Sequence, residues 1–262
     1  MAQKVNQNDL KSSSTMHTAG AMLHAWFRAG LDFLYPPHCL WCADMIASPN
    51  YFCGRCHDAL ILPASQPRCC RCSAPVGPYL GTAENCIHCR ADPYAFDRVV
   101  SLGPHDEELK HACRLAKAAT GAILTHALTV QLWEHVQAHL NREEFDLIVP
   151  VPHHWSERLL SNHFPSELAA QSMSRLSSVP TRSDGLRKVR RTPKQTDLSP
   201  TERRKNLRDA FQASSSLVGG QQILLVDDVL TTGTTAHQAT KALLSAGARK
   251  VFVAVFSRGV GR

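Results

Sequence analysis

The sequence has few aromatic residues, no long apolar run and no nucleotide-binding loop of the Walker type. Aromatic residues make up 6% of the chain, and none lies between residues 187 and 210. No apolar run approaches the roughly 20 residues that a transmembrane helix needs. The glycine of LLVDDVLTTGTT, residues 224–235, is followed by Thr-Thr and not by Lys-Ser/Thr. A membrane span and a Walker ATPase are therefore not expected.

An export signal is also missing. Residues 19–34, AGAMLHAWFRAGLDFL, are apolar enough to suggest one, but Arg28 and Asp32 interrupt them and no small-residue cleavage site follows. We expect an amphipathic helix here instead. The residues expected to pack inward are Leu23, Trp26, Phe27, Phe33 and Leu34. The polar segment before it, residues 1–18, is expected to be disordered, and the protein is expected to be cytoplasmic.

Positive charge is concentrated in one segment. Residues 187–208 hold nine Lys or Arg against Asp197 and Glu202, and this surplus equals the formal net charge of +7 for the whole chain. Such a segment indicates an anionic partner such as phosphate, pyrophosphate or nucleic acid, although a solvated charged loop is the alternative. Independent DNA binding by the segment is disfavoured, because single-strand binding usually adds aromatic stacking platforms.

Cysteine spacing is the strongest signal in the N-terminal third. Eight of the ten cysteines form four Cys-x-x-Cys pairs, namely Cys39 with Cys42, Cys53 with Cys56, Cys69 with Cys72, and Cys86 with Cys89. Two intervening residues let a tight turn aim both thiolates at one ion, so each pair can supply half of a tetrahedral zinc site. The four pairs predict two structural zinc sites. A disulfide framework is the alternative, which a reducing cytosol disfavours.

The sequence alone does not decide which two Cys-x-x-Cys pairs share a zinc ion. Sequential pairing gives two zinc ribbons in tandem, whereas crossed pairing gives an interleaved module. We favour sequential pairing because the gaps within each ribbon are then short. Cys70 and Cys113 are left over and are expected to be bystander thiols.

Beyond about residue 95, apolar strands alternate with helices. Strands are predicted over 96–102 and 145–152 and from 222 and 250, and helices over 106–118, 121–140, 155–177 and 235–246. This alternation predicts an α/β fold with a parallel sheet and helices on both faces. The expected division is a disordered tail (1–18), a helix with a double zinc-ribbon domain (19–92) and an α/β domain (93–262).

Two adjacent carboxylates precede a loop of hydroxyls and glycine near the C-terminus. The apolar strand at 223–226 delivers Asp227 and Asp228 to the carboxyl edge of the sheet, where open α/β folds bind ligands. The residues after them lead into a helix, so that N–H groups, hydroxyls and the helix N-terminus can converge on one phosphate. Carboxylates beside that phosphate suit vicinal sugar hydroxyls. The segment therefore predicts a ribose 5-phosphate site.

Two other interpretations of this segment are weaker. The acids could be turn residues and the threonines helix caps, but capping needs one such residue and the stretch offers seven. A receiver domain also has paired acids after a strand, but it needs several further strand and helix units. Only 27 residues follow Thr235.

The segment resembles the phosphoribosyl pyrophosphate (PRPP) motif of type I phosphoribosyltransferases, with four apolar residues, two acids, two apolar residues and a Thr/Gly loop. Over residues 31–258 the chain resembles the ComF family of competence-associated phosphoribosyltransferase-like proteins. The Cys-pair module, IVPVP (148–152), RRTPKQTDLSPTERRKNLRDAF (190–211) and ILLVDDVLTTGTT (223–235) occur in the family's order. One departure is RLLSNHFPSELAA (158–170), where the family usually has an Arg-Gly-Phe-Asn-Gln-like stretch.

The resemblance implies a phosphoribosyltransferase-like sheet that binds PRPP with Mg²⁺. Asp227 and Asp228 would bind the ribose hydroxyls. The 5-phosphate would be surrounded by Thr231, Thr232, Gly233, Thr234 and Thr235. A flexible basic loop would close over the pyrophosphate, with Arg190, Arg191 and Lys194 as candidates.

Three functions are compatible with these features. The first is a zinc-containing ComF-like protein that binds PRPP and acts in the uptake or processing of transforming DNA, with single-stranded DNA and the DNA-uptake machinery as partners. The second is a metabolic phosphoribosyltransferase that transfers phosphoribose to an unidentified acceptor. The third is a regulatory or scaffolding module with a vestigial pocket. Catalytic residues are not assigned.

Overall fold

The structure, a computed structural model, describes residues 36–46, 50–61, 66–77, 79–84, 86–91, 94–140, 145–154, 163–190 and 207–259. The chain divides into two compact units, residues 1–57 and 58–262. The predicted tail and the predicted helix over 19–34 lie outside the described residues. The boundaries predicted at 18/19 and 92/93 stay predictions.

The elements, in chain order, are α1 (Gly54–Leu60), α2 (Ile87–Ala91), β1 (Arg98–Pro104), α3 (Glu107–Ala116), α4 (Ala122–His139), β2 (Leu147–Pro150), α5 (Pro165–Ser177), β3 (Leu186–Lys188), β4 (Phe211–Ala213), α6 (Ser215–Val218), β5 (Gln222–Leu230), α7 (Thr234–Ser245) and β6 (Lys250–Arg258). Of the helix predicted over 155–177, residues 155–162 lie outside the described part. No described helix has the length and apolar character that crossing a bilayer requires.

The larger unit is built on a parallel sheet of four strands in the order β1-β6-β5-β2. Its central strands are apolar on both faces, and Leu224, Leu225 and Val226 of β5 are fully buried. Burial on both sides explains why these strands are unbroken apolar runs and not alternating ones. The predicted parallel α/β fold is confirmed.

Helices and a small hairpin cover the sheet. α4 packs against α5, and both contact strands of the sheet. α7 and the hairpin of β3 with β4 share one core cluster with alternate strand residues such as Val149, Leu225 and Val253. Three cysteines of the Cys-rich segment, Cys69, Cys72 and Cys86, belong to the same cluster.

The hairpin was not predicted, because each strand has only three residues. Leu186 pairs with Ala213 and Lys188 with Phe211 in an antiparallel register. Leu186 and Phe211 are buried, and the residues between them in the ladder are exposed or half-buried. The hairpin therefore brings together the two ends of the basic segment, whose residues 191–206 lie outside the described part.

The parallel register aligns the strand ends that carry the candidate site. β5 continues through Asp227 and Asp228 to Leu230, which lies opposite Arg258 of β6. The carboxyl ends of parallel strands meet at one edge of the sheet, which is where ligands bind in open α/β folds. The acid pair therefore lies near the C-terminal end of β5, and the loop begins after Leu230.

Gly121, in the turn between α3 and α4, provides a test of this packing. A Cβ atom there would lie 2.5 Å from the carbonyl oxygens of Leu115 and Ala116. Both are backbone atoms, so the clash can be relieved only by a shift of the backbone. Gly121→Ala should therefore cost about 1–3 kcal/mol of unfolding free energy. Gly77→Ala is the control, since a Cβ there meets nothing within 4 Å. Equal urea midpoints for both variants by circular dichroism would contradict this packing.

Candidate functional site

The eight paired cysteines form two clusters of four. The first contains Cys39, Cys42, Cys53 and Cys56, and the second contains Cys69, Cys72, Cys86 and Cys89. Within each cluster all sulfur atoms lie within 4.8 Å of one another. Sequential pairing is therefore the arrangement that the structure adopts. Cys70 and Cys113 lie outside both clusters, as expected.

One short turn occurs in both clusters. In each, the N–H of the first cysteine, Cys39 or Cys69, donates to the carbonyl five residues later at 2.8 Å. The residue after the second cysteine has a left-handed backbone, with φ of 61° at Ala43 and 56° at Ser73. This tight turn brings the two sulfurs of a Cys-x-x-Cys pair to the same side. The Cys-rich segment is thus an internal repeat of one metal-binding turn.

The sulfur spacing fits zinc. Cys42 and Cys53 sulfurs are 3.7 Å apart, and Cys72 and Cys86 sulfurs are 3.6 Å apart. A tetrahedron with Zn–S bonds of about 2.3 Å has edges of about 3.8 Å. A disulfide would need about 2.05 Å, and all the cysteines are free. Two four-thiolate zinc sites account for both the ligand set and the distances.

Residues 224–235, the segment predicted to bind a ribose 5-phosphate, lie at the carboxyl edge of the sheet, where β5 leads into α7. Asp227 lines a narrow pocket together with all five predicted loop residues, 231–235. Gly233 precedes the helix with φ of 76°, a left-handed conformation that favours glycine. The hydroxyls of Thr232 and Thr234 lie 2.9 Å apart. The structure thus brings the loop and one carboxylate of the acid pair to one pocket.

The second carboxylate has a different environment. Asp228 follows Asp227 on β5, and the two carboxyls interact with each other. An Oδ atom of Asp228 lies 2.6 Å from Nζ of Lys117, which follows α3. Lys117 was not predicted as a site residue, because a lysine at the end of an amphipathic helix carries no distinguishing signal. Lys117 therefore supplies a cation to the acid pair in the free chain.

The pKa values of the two neighbouring carboxyls are shifted in opposite directions. Burial raises the pKa of Asp227 well above its usual value, and the charge of Asp228 raises it further. Burial also acts to raise the pKa of Asp228, but the ammonium of Lys117 outweighs it and lowers that pKa. Asp228 thus carries the negative charge of the pair, and ionisation of Asp227 costs free energy in the free chain.

Two further side chains, those of Tyr94 and Arg258, form hydrogen bonds with backbone carbonyls at the start of the loop. A Cβ on Gly233 would lie 2.6 Å from the ring of Tyr94, whose hydroxyl donates to the Thr232 carbonyl. Arg258 is 1% exposed and donates to the carbonyls of Leu230 and Thr231. Neither residue was predicted. The available signal was the position of Arg258 at the end of a strand whose residues 251–256 are all apolar, KVFVAVFSR.

Of the pyrophosphate-loop candidates, the structure describes Arg190 only. It is exposed, and its guanidinium donates to the carbonyl of Arg208 at 2.7 Å, across the base of the basic segment. Arg191 and Lys194 lie outside the described residues. His153, in the loop after β2, packs against Phe164 with ring centroids 4.5 Å apart.

The two zinc sites predict a simple metal content. Elemental analysis of the purified protein by mass spectrometry should find two zinc ions per chain. Cys72→Ser should retain one, because its site loses a ligand, whereas Cys70→Ser should retain two, because Cys70 lies outside the clusters. A single zinc ion in the wild-type chain, or no loss in Cys72→Ser, would contradict this assignment.

The acid pair predicts opposite effects of two isosteric substitutions on stability. Asp227→Asn should stabilise the free chain at pH 7, because it removes a carboxylate whose raised pKa opposes folding above its ordinary value of 3.8. Asp228→Asn should destabilise it by about 1 kcal/mol, the scale of a partly exposed ion pair. Both differences should shrink as the pH falls below 3.8. Urea unfolding at pH 7 and pH 3.5 measures them, and shifts of the same sign at pH 7 would refute the assignment.

Two protein families match the chain in separate segments. The double zinc ribbon domain matches residues 30–90, which contain both cysteine clusters. The phosphoribosyl transferase domain matches residues 166–260, which contain the acid pair and the loop. The chain is also similar to a solved structure of glutamine PRPP amidotransferase from B. subtilis complexed with ADP and GMP. That match has 26% identity and a TM-score of 0.35, and it covers 52% of this chain and 27% of that one.

Relatives match over most of the chain. Competence protein F of Haemophilus influenzae is 26% identical over 221 residues, which cover 82% of this chain and 94% of that protein. DNA utilization protein YhgH of Salmonella typhi is 30% identical over 224 residues, which cover 83% of this chain and 95% of that protein. The similarity thus spans the zinc clusters and the sheet together, and we conclude that the chain belongs to the ComF family, which includes competence protein F and YhgH.

Proposed function

We propose that this ComF-family protein binds PRPP with Mg²⁺ and acts in the uptake or processing of DNA. The observation that carries the proposal is the convergence of Asp227 and residues 231–235 on one pocket at the N-terminus of α7. Each group suits one part of a phosphoribosyl ligand, and the pocket lies at the sheet edge where such ligands bind.

The loop is suited to the 5-phosphate. Residues 231–233 precede an α-helix of twelve residues, whose first N–H groups have no partner within the helix. These donors, the threonine hydroxyls and the positive end of the helix dipole favour a phosphate dianion. Gly233 allows the chain to turn into the helix without a side chain in the way. The loop needs no lysine, in contrast to a Walker loop.

The acid pair is suited to the ribose and to the accompanying magnesium ion. Carboxylates accept hydrogen bonds from vicinal hydroxyls, and they are also the hard oxygen ligands that Mg²⁺ prefers. Asp227 and Asp228 would serve these two purposes, and Mg²⁺ would neutralise the pyrophosphate of the ligand. Lys117 adds a cation at the same edge, which favours a polyanionic ligand.

The role in DNA uptake or processing is supported by the relatives. They are called a competence protein and a DNA utilization protein. Nine basic residues between 187 and 208 provide the positive charge that phosphate backbones attract. Retention of single-stranded DNA at low salt, lost as salt rises, is the expected behaviour. Absence of single-stranded DNA binding at about 50 mM salt would contradict the proposed role in DNA uptake or processing.

Titration calorimetry tests the PRPP half. PRPP with Mg²⁺ should bind with micromolar affinity, and the double substitution Asp227→Asn/Asp228→Asn should abolish the heat. Asp184→Asn is the matched control, since it removes one charge at an exposed position outside the pocket and should bind as the wild type does. Absence of binding by the wild-type chain would refute the proposal and favour a scaffolding role.

The same titration in the presence of single-stranded DNA tests whether the binding of PRPP and the binding of DNA are coupled. If DNA changes the affinity for PRPP, PRPP must change the affinity for DNA by the same factor.

The alternative, a metabolic phosphoribosyltransferase, requires release of pyrophosphate from PRPP. Release in the presence of a nucleobase, ammonia or an amine would support the alternative, and its absence with all of them would exclude it for those acceptors.

A further inference from the structure

One buried arginine forms hydrogen bonds with both the second cysteine cluster and the loop of residues 231–235, which we call the phosphate loop after its proposed ligand. Nε of Arg258 donates to the carbonyl of Cys72 at 3.0 Å, and Nη1 donates to the carbonyls of Leu230, at 3.1 Å, Thr231 and Gly259. One guanidinium therefore joins the backbone of a zinc-ligand residue to the backbone of the loop. No part of the proposed PRPP site requires this connection to exist.

The segment after the cluster makes a second connection. The hydroxyl of Tyr94 donates to the Thr232 carbonyl at 3.2 Å, and its ring fills the space beside Gly233. The next residue, Ala95, donates its N–H to Nδ1 of His237 in the first turn of α7, at 3.0 Å. Tyr94 is itself tied to the metal-binding turn, because the guanidinium of Arg71 donates to its carbonyl at 2.6 Å.

The metal-binding turn is anchored firmly enough to serve as a support. The N–H of Val99, in β1, donates to the Arg71 carbonyl at 2.8 Å. Arg68 donates to the carbonyl of Ser101 at 2.7 Å, and the hydroxyls of Ser73 and Ser101 lie 2.8 Å apart. The turn is thus hydrogen-bonded to β1, and Cys69, Cys72 and Cys86 are buried in the core.

These contacts orient the loop. The carbonyls of Leu230, Thr231 and Thr232 are all held by donors on the side of the cluster. In a planar trans peptide, the N–H of the next residue points opposite to the carbonyl. The N–H groups of residues 231, 232 and 233 are therefore directed away from the cluster. A row of amides fixed in one direction is the arrangement that binds an anion.

Zinc makes this support electrostatically favourable. Four thiolates around Zn²⁺ leave a net charge of −2, because each thiol loses its proton on binding. Arg258 is buried, and the acceptors described above for its guanidinium are neutral carbonyls. A buried cation without a compensating charge is costly, and the zinc–thiolate dianion beside it provides one. Loss of zinc would leave the cation without that charge.

We propose that the second zinc site, acting through Arg258 and Tyr94, positions the phosphate loop, so that zinc in this site and PRPP in the pocket strengthen each other's binding. Arg258 and Tyr94 are positioning residues in this proposal. The reciprocal effect rests on the proposed PRPP binding, whereas the effect of zinc on the loop does not.

Two matched cysteine substitutions test the effect on the loop. Cys89→Ser in the second cluster and Cys53→Ser in the first each remove a half-exposed ligand, and each should lose one zinc ion. Hydrogen exchange of residues 229–236, measured by mass spectrometry without PRPP, should accelerate about tenfold or more in Cys89→Ser. It should stay at the wild-type rate in Cys53→Ser, whose cluster belongs to residues 1–57. Equal exchange in the two variants would overturn the proposal.

Substitution of the arginine separates its role from that of the metal. Arg258→Met should retain both zinc ions and still show faster exchange in the loop, and Arg258→Lys should lie between it and the wild type, because an ammonium lacks the planar fork of donors. Tyr94→Phe loses only the hydrogen bond to Thr232 and should have a smaller effect. Loop exchange at the wild-type rate in Arg258→Met would contradict the role of Arg258.

A measurement on the wild-type chain stands even if Arg258→Met does not fold. Release of zinc to a colorimetric chelator should show two phases, and PRPP with Mg²⁺ at about 100 times its Kd should slow one of them by up to about 100-fold, because PRPP stabilises the zinc-loaded state. In Cys53→Ser the slowed phase should remain. Two unaffected phases in a chain that binds PRPP by calorimetry would overturn the coupling. If calorimetry shows no PRPP binding, the proposed function fails, and the exchange experiment still decides the positioning of the loop.

Discussion

The parallel pairing of β5 with β6 is the contact on which the rest of the site depends. Its register places Leu230 opposite Arg258, so the loop begins where a buried guanidinium ends the neighbouring strand. It also carries the acid pair to the carboxyl edge of the sheet within β5. A slip of one residue would exchange the faces of Asp227 and Asp228 and would remove Arg258 from the loop carbonyls.

The adjacent carboxylates show how one strand gives two identical side chains different properties. Asp227 lines the pocket with the loop, and Asp228 forms an ion pair with Lys117. Burial raises the pKa of the first, and the ammonium lowers that of the second against the same burial. A carboxyl with so strongly raised a pKa costs free energy when it is ionised, and such groups are concentrated in functional sites.

The two zinc sites share one local design and differ in their surroundings. Both use the same Cys-x-x-Cys turn with a left-handed residue after it, and both have the sulfur spacing of a tetrahedral site. Only the second belongs to the unit of the sheet, where its cysteines are part of the core and its backbone accepts from Arg258. A repeated motif can thus be a structural module in one copy and, as we propose, a support for a binding loop in the other. In this proposal the second zinc site and the sheet act together, and the relatives match over most of the chain.

The sequence by itself determined the features that depend on neighbours along the chain. Cys-x-x-Cys spacing predicted two zinc sites, and unbroken apolar runs predicted the parallel sheet. The segment at 224–235 predicted a loop at its carboxyl edge, since strand, turn and helix N-terminus follow from adjacent residues. The tertiary structure decided what depends on distant ones. Lys117 meets Asp228 across 111 positions, and Arg258 meets Cys72 across 186. Neither contact has a local pattern, because an ion pair or a buried guanidinium depends on where the packed elements end, and that is fixed only when the sheet and the metal-binding turn have assembled.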